Sequence, residues 1–270
     1  MSTKALLLAA GYGQRLNPFT KVLPKCLMPI NKKPILEFWI ERLISCGIEN
    51  ILINVHHFPD DVINFLNRER FREVVVWVKE DELLGTAGTL KANMEFFRGS
   101  DILFVHADNF CLANLDSFIK CHKNKSSECI MTMMTFLSEN PESCGIVTTD
   151  NQGIVTEFFE KVNHPPSNLA NAAIYLLDQN FLYWLQDREN VFDFSLDVIP
   201  NLLGRIMTWN NENVHIDIGT IENLIKAQNY GKSQNESIFR PVNDDWYLNY
   251  LQNPIHKMLE NEQIVDEKRR

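Results

Sequence analysis

Three cations follow a pair of glycines near the start of this chain. In "LLLAAGYGQRLNPFTKVLPKCLMPI" (6–30) an apolar run stops at Gly11-Tyr12-Gly13, and Arg15, Lys21 and Lys25 come after it with no regular period. Glycines let a backbone take positive φ and approach a ligand closely. Successive N–H groups in such a turn can form an anion nest. Arg15 adds a planar fork suited to phosphate oxygens, and Lys25 adds a point charge. The chemistry this suits is the holding of a polyphosphate. Two familiar phosphate loops do not fit. The dinucleotide pattern GxGxxG needs a third glycine where Leu16 stands, and Pro18 and Pro24 interrupt the helix that should follow. The pattern GxxxxGK[ST] is absent. A GxG by itself is equally an ordinary turn beside surface cations.

No second chemistry competes with this one. The six cysteines (26, 46, 111, 121, 129, 144) include no CxxC pair, and the histidines complete no metal or nucleophile set. Cysteines scattered like this pack as small apolar residues in a reducing compartment. His56 and His57 follow a strand and read as loop residues; Phe38, Trp39, Phe96 and Phe97 sit at helical spacing and read as core. With 35 acidic against 26 basic residues the net charge is −9. General affinity for nucleic acid or an anionic membrane is not expected. The apolar run before the glycines is too short to span a bilayer and lacks a signal-peptide cleavage pattern. The expectation is a cytoplasmic protein.

The elements that must position these cations read as follows. "KALLLAA" (4–10), "NILINV" (50–55), "VVVWV" (74–78) and "DILFVHAD" (101–108) are short apolar runs bounded by turn residues, hence buried strands. Between them "PILEFWIERLISCG" (34–47) and "PDDVINFLNRE" (59–69) carry helical spacing, and "GTAGTLKANMEFF" (85–97) is a loop leading into a helix, with Thr86 placed to cap it. This alternation predicts a mostly parallel sheet covered on both faces. In such sheets ligands bind beyond the carboxyl ends of the strands, where the glycine turn lies. After 126 the strands shorten ("ECIMTMMTF", "CGIVTTD", "GIVTEFFE", "ANAAIYLLD") and antiparallel pairs are expected, with helices near 180, 194 and 220. "YGKSQNESIFRPVNDD" (230–245) reads as a polar linker before a helical tail. The predicted fold class is α/β: a Rossmann-like, mostly parallel but mixed sheet with helices on both faces, in one catalytic domain plus a short C-terminal helical tail.

The longer run "LLLAAGYGQRLNPFTKVLPKCLMPINKKPIL" (6–36) closely resembles the signature of the sugar-phosphate nucleotidylyltransferases, GxGxRLxPLT followed by PKxLxPI. Phe19 stands where leucine is usual. Further pieces extend the resemblance to about residue 230. "LLGTAGTL" (83–90) looks like the family's base-binding loop, of a type that leans towards guanine nucleotides. "LFVHADN" (103–109) and "VHIDIGTIENLIKA" (214–227) resemble its two metal segments, with His215 in place of an aromatic and Ile221 in place of proline. "CGIV" (144–147), "EFFEKV" (157–162) and "NLANAAIY" (168–175) resemble its sugar-phosphate segments, with Val162 replacing proline and Ala173 replacing a common glycine.

That resemblance implies site residues. Arg15 and Lys25 would be catalytic. Leu8, Ala10, Gly11, Gly13, Gly85, Thr86, Ala87 and Gly88 would line the nucleotide. Gly145, Glu160, Lys161 and Asn171 would bind the sugar phosphate. Asp108 and Asp217 would hold Mg2+, which accepts two carboxylates plus phosphate and water. The implied organisation is a catalytic domain over 1–230, nucleotide-binding over about 1–125 and sugar-phosphate-binding over about 126–230, then linker and tail over 231–270. The implied reaction joins a sugar 1-phosphate to an NTP, GTP by the loop type, releasing pyrophosphate. A phosphocholine-type cytidylyltransferase and a non-catalytic nucleotide-sugar-sensing subunit are the alternatives; a Rossmann oxidoreductase lacks its third glycine. The C-terminal helix could serve a homo-oligomer.

Overall fold

A computed structural model describes residues 2–233 and 240–269. The fold is α/β, with a mixed sheet and flanking helices, and the chain divides into two compact units.

One unit comprises residues 1–7, 82–106 and 111–215. Its strands lie side by side in the order Val155–Glu160, Gly145–Thr149, Leu169–Leu177, Ser100–His106, Ser2–Leu8. Leu169–Leu177 runs antiparallel to Ser100–His106, to Gly145–Thr149 and to Met131–Leu137. Met131–Leu137 also pairs in parallel with Ile206–Asn210. The antiparallel region expected after 126 is thus present. Side-chain caps set the helices here: Asn114 accepts from Ser117 N–H at the start of Leu115–Lys123, and Asp178 accepts from Asn180 and Phe181 N–H at the start of Gln179–Gln186. The helix Leu115–Lys123 and the strand Ile206–Asn210 carry no expectation from the sequence. Each is short, and each packs against Met131–Leu137.

The other unit comprises 8–81, 107–110 and 216–270. Ile51–Val55 and Val75–Lys79 pair in parallel, Ile51 opposite Val75 and Val55 opposite Lys79. Every residue of Ile51–Val55 is buried, as befits a strand covered on both faces, and the polar Asn54 among them accepts from Ala9 N–H at 2.8 Å and donates to Glu80 at 3.0 Å. The helix Ile35–Ser45 buries Ile35, Leu36, Phe38, Trp39, Ile40 and Leu43, and Pro34 sits at its N-cap. Between the glycine turn and that helix the chain makes three single helical turns, Gln14–Leu16, Phe19–Lys21 and Lys25–Leu27, where the sequence shows no period. The helix Ile221–Ser233 runs into the segment expected to be a linker, of which residues 234–239 lie outside the described residues. The tail is helical, as Asp245–Tyr250 and Ile255–Arg269.

Among the described residues no two cysteines form a disulfide, and Cys26, Cys111 and Cys129 are buried. Phe38, Trp39 and Phe97 are core, but Phe96 is half-exposed beneath the Lys4 ammonium, 4.9 Å from its ring centre. Helical spacing puts Phe96 beside Phe97, yet the short helix Met94–Phe97 buries only Phe97. Among the described residues no helix is long and apolar enough to cross a membrane.

Candidate active site

Four of the charged residues singled out by the sequence, Arg15, Lys25, Asp108 and Asp217, meet in the second unit. Lys25 lies in the turn Lys25–Leu27, with its side chain only 10% exposed. Its ammonium donates to Asp108, just beyond the strand Ser100–His106, and to Asp217 Oδ1 at 3.3 Å, the last residue of the strand His215–Asp217. Burial alone would lower the Lys25 pKa; the charges of Asp108 and Asp217 and their hydrogen bonds overcome it, and the pKa is raised. Lys25 is therefore a fixed cation, not a base. Its neighbour Cys26 is no nucleophile either, since burial pushes the thiol up to about 12. Arg15 stands at the rim, 70% exposed, with its guanidinium 3.7 Å from Asp217.

Backbone contacts hold this cluster. Ile218 N–H donates to the Asp108 carbonyl at 3.1 Å, tying the two aspartate-bearing segments together. Asn223 Nδ2 donates to the Asp217 carbonyl at 2.8 Å. Gly219 lets the cluster close up: a Cβ there would lie 2.8 Å from Arg15 Nη2 and 3.0 Å from the Asp217 carboxylate. Gly219, Asn223 and Thr20 carry no expectation from the sequence, although "DIGT" and "NPFT" lie inside the matching segments and are the signal that could have found two of them.

The glycine turn behaves differently at its two ends. Gly13 has φ +62°, and a Cβ on it would lie 2.9 Å from Thr20 Cγ2 and 3.1 Å from Lys25 Cβ. Thr20 Oγ1 donates to the Gly13 carbonyl at 3.1 Å. Gly11 was expected to use positive φ and does not; a Cβ there would meet nothing within 4 Å. Its missing side chain leaves open space above the turn, and the left-handed step falls to Gly13 alone. Leu8 closes the strand Ser2–Leu8, its carbonyl accepting from Ala107 N–H at 3.0 Å, and Ala10 is buried beneath the turn. His56 is a loop residue, as expected, and it also braces the turn by bridging the Tyr12 hydroxyl (2.8 Å) and the Glu80 carbonyl (2.8 Å).

The remaining residues lie in the first unit. Gly85 has φ +77°, and a Cβ on it would lie 2.5 Å from the Phe192 carbonyl oxygen. That carbonyl accepts from Ala87 N–H at 2.8 Å and from Gly88 N–H at 3.4 Å. The close approach that Gly85 permits is thus to the chain's own backbone. Thr86 does not cap its helix; Gly85 is the N-cap, and the Thr86 hydroxyl accepts from Phe194 N–H at 2.7 Å. The Phe192 carbonyl already satisfies the first N–H groups of that helix, so the hydroxyl holds the neighbouring segment instead.

Gly145 makes room for two side chains: a Cβ there would lie 2.7 Å from both the Glu160 carboxylate and the Phe158 ring. Lys161, at φ +49°, pairs with Glu160 at 3.0 Å and is 65% exposed. Asn171 Nδ2 donates to the Tyr175 hydroxyl at 2.7 Å, and its Oδ1 accepts from Ala173 N–H at 3.0 Å. Ala173 sits at φ +52°, where the strand register shifts between Asn171 and Tyr175. The position asks for glycine because of the backbone, whatever the ligand. His215 packs its ring 4.4 Å from Phe136 at a tilt of 41°, so it fills the aromatic's place in its segment with another ring contact.

The donor set suits a hard divalent cation. Asp108 and Asp217 converge on one point of positive charge, now the Lys25 ammonium. Among the described residues no group of three or more His, Cys, Asp or Glu gathers to hold a metal. Two carboxylates completed by phosphate oxygens and water are a usual magnesium shell.

A site of cations and converging carboxylates beyond a glycine turn, on an α/β fold, is suited to holding phosphates. The chain belongs to the nucleotidyl transferase family, whose model matches residues 4–234. It is 30% identical over 241 residues to the UTP–glucose-1-phosphate uridylyltransferase of Synechocystis sp., covering 83% of this chain and 62% of that one. It is 29% identical over 232 residues to the mannose-1-phosphate guanyltransferase of Yarrowia lipolytica, with the same coverage of 83% and 62%. The chain therefore spans less than two thirds of the length of these relatives. The fold is also that of HddC from Yersinia pseudotuberculosis complexed with GMP-PN, at a TM-score of 0.72 and 23% identity over 85% of this chain and 99% of that one.

Proposed function

We propose that this protein transfers a nucleotidyl group from an NTP to a sugar 1-phosphate. An oxygen of the sugar phosphate attacks the α-phosphorus in line. The bond from that phosphorus to the bridging oxygen breaks, and pyrophosphate leaves with the electron pair. The incoming phosphate is already ionised near neutral pH, so no general base is required. The reading is carried by Lys25, a buried cation held between Asp108 and Asp217 beyond the glycine turn. What the protein must supply is charge neutralisation and alignment of two polyanions.

The roles are those the family resemblance implies, and charge and exposure agree with them. Exposed Arg15 takes the β- and γ-phosphates and then the departing pyrophosphate. Buried Lys25 meets charge developing on the α-phosphate. Lys161 holds the incoming sugar phosphate, with Glu160 and Asn171 for sugar hydroxyls. Gly11 admits the triphosphate, and the loop 85–88 faces the base. Asp108 and Asp217 are the residues that would hold magnesium, which would supply further positive charge against the phosphates. The nucleotide belongs to residues within about 1–125 and the sugar phosphate to about 126–230. The loop type favours GTP; relatives named for UTP and for guanyl transfer leave the base to experiment.

The test is a pyrophosphate-release panel: GTP, UTP, dTTP, CTP and ATP against mannose, glucose, heptose and glucosamine 1-phosphates and phosphocholine, with magnesium and with chelator. Magnesium-dependent release with GTP and one sugar 1-phosphate is expected. Release only with CTP and phosphocholine would replace the sugar reading. No release, together with tight nucleotide-sugar binding, would make the protein a sensor.

A further inference from the structure

The helices Asp245–Tyr250 and Ile255–Arg269 have no part in the proposed reaction, yet side chains of the tail reach the segment that carries Lys25. The turn Lys25–Leu27 has few bonds of its own, Leu27 N–H to the Pro24 carbonyl at 2.9 Å and Met28 N–H to the Lys25 carbonyl at 3.1 Å. A single helical turn of this kind has little stability by itself, and its terminal carbonyls need outside donors. The Tyr250 hydroxyl supplies one, donating to the Leu27 carbonyl at 2.8 Å. Asn253 Nδ2 lies 3.5 Å from the Val22 carbonyl, and Gln228 accepts from Asn31 N–H at 3.0 Å.

Tyr250 is itself held from behind. Trp246 stacks on its ring at 4.9 Å and 19° and meets Phe65 edge-on at 4.9 Å. The Arg68 guanidinium lies 5.0 Å from the centre of the Trp246 ring and pairs with Asp244 at 2.7 Å and Glu37 at 2.5 Å. Glu37 has no exposed surface and also pairs with Arg70 at 2.8 Å. Aromatic stacking and buried ion pairs thus dock Asp245–Tyr250 at a set depth. The phenol is buried, and its pKa is driven well above the ordinary value by that burial, so it stays a donor at all working pH values.

We propose that Tyr250 is a positioning residue for Lys25: through the Leu27 carbonyl it pins the turn that aims the ammonium between Asp108 and Asp217. The kinetic part rests on the function proposed above; the structural part does not. A misplacement of about 1 Å at a reacting group can cost a hundredfold in rate, so loss of one hydrogen bond behind the turn has a readable effect.

Tyr250→Phe keeps the ring and removes only the donor. Its kcat is expected to fall about tenfold with KM for the NTP nearly unchanged. On a Lys25→Ala background the same change is expected to cost nothing more, because the two act as one. Leu185→Val, a core change in the helix Gln179–Gln186, serves as the control for lost stability and is expected to leave kcat alone. Amide hydrogen exchange gives a readout free of activity: Leu27 and Met28 should exchange about tenfold faster in Tyr250→Phe, with Ile51–Val55 unchanged. Should Tyr250→Phe not fold, Trp246→Ala, which removes the ring stacked on Tyr250, is read in the same way. Unchanged exchange at Leu27 and Met28 overturns the proposal, as does an equal rate loss with and without Lys25. If the wild-type protein is silent in the whole panel, the function reading fails, and the exchange experiment alone decides whether Tyr250 pins the turn.

Discussion

Lys25 and Asp217 are separated by 192 positions in the chain, and their charged atoms meet at 3.3 Å. The contact places a nearly buried ammonium where two carboxylates converge, so the cation is oriented before any substrate arrives. Preorganised charge of this kind is worth more than the same charge in water, because nothing must reorganise as the reaction proceeds.

Removing it should therefore be costly. Lys25→Ala is expected to lower kcat by about 10²–10³, the usual effect of deleting one transition-state contact. Lys25→Met should also remove the cation that now sits between Asp108 and Asp217, so magnesium should raise its melting temperature more than that of wild type. Full turnover in the alanine variant would remove Lys25 from the chemistry, and equal thermal shifts would separate the two aspartates from metal binding.

Gly219 offers a test of the rim. A methyl there would press on Arg15 Nη2 at 2.8 Å and on the Asp217 carboxylate at 3.0 Å, both at the ends of side chains that can move. Gly219→Ala should fold normally and lose about ten- to a hundredfold in kcat/KM. Steady-state kinetics beside a melting curve checks both halves; an active variant would mean that Arg15 and Asp217 work from other positions.

Ala173 sits at φ +52° in a strand whose register breaks around it. A non-glycine residue in the left-handed region costs about 1–2 kcal/mol, while glycine costs about 0.5–1 kcal/mol in unfolded-chain entropy. Ala173→Gly should therefore stabilise the protein by up to about 1 kcal/mol, read as a higher denaturant midpoint. A lower midpoint would show that packing of the methyl outweighs the backbone strain.

His122 sets an acid limit. Burial first, and then the charge of Lys125, bring its pKa down to about 3, and its Nδ1 lies 2.8 Å from Thr132 Oγ1. Unfolded histidine titrates near 6.5. Between those values the unfolded chain holds a proton that the folded one does not. Stability from this group is thus complete above about pH 6.5 and falls by about 1.4 kcal/mol per pH unit as the pH drops towards 3. His122→Gln should flatten the acid side of a melting-temperature profile relative to wild type; parallel profiles would show that His122 takes up its proton without unfolding.

The glycine turn, the cations after it and the alternation of strand and helix were legible because each is written locally. An apolar run ending in glycine specifies a buried strand and a turn, and helical spacing with Pro34 ahead of it specifies Ile35–Ser45, whatever lies elsewhere. The run 6–36 also keeps Arg15 and Lys25 within one continuous segment, so both could be singled out in one pass. Thr86 shows where local logic stops. A threonine before a helix is a competent cap, but the Phe192 carbonyl, more than a hundred residues away, takes the N–H groups first and leaves the hydroxyl to Phe194. Gly11 and Gly13 look alike in sequence, yet only Gly13 takes positive φ and has Thr20 and Lys25 packed against it. The Asp217 contact of Lys25 and the Tyr250 bond to Leu27 were likewise invisible. Periodicity and turn chemistry act over a few residues, whereas such pairings exist only once the whole chain has placed its distant segments side by side.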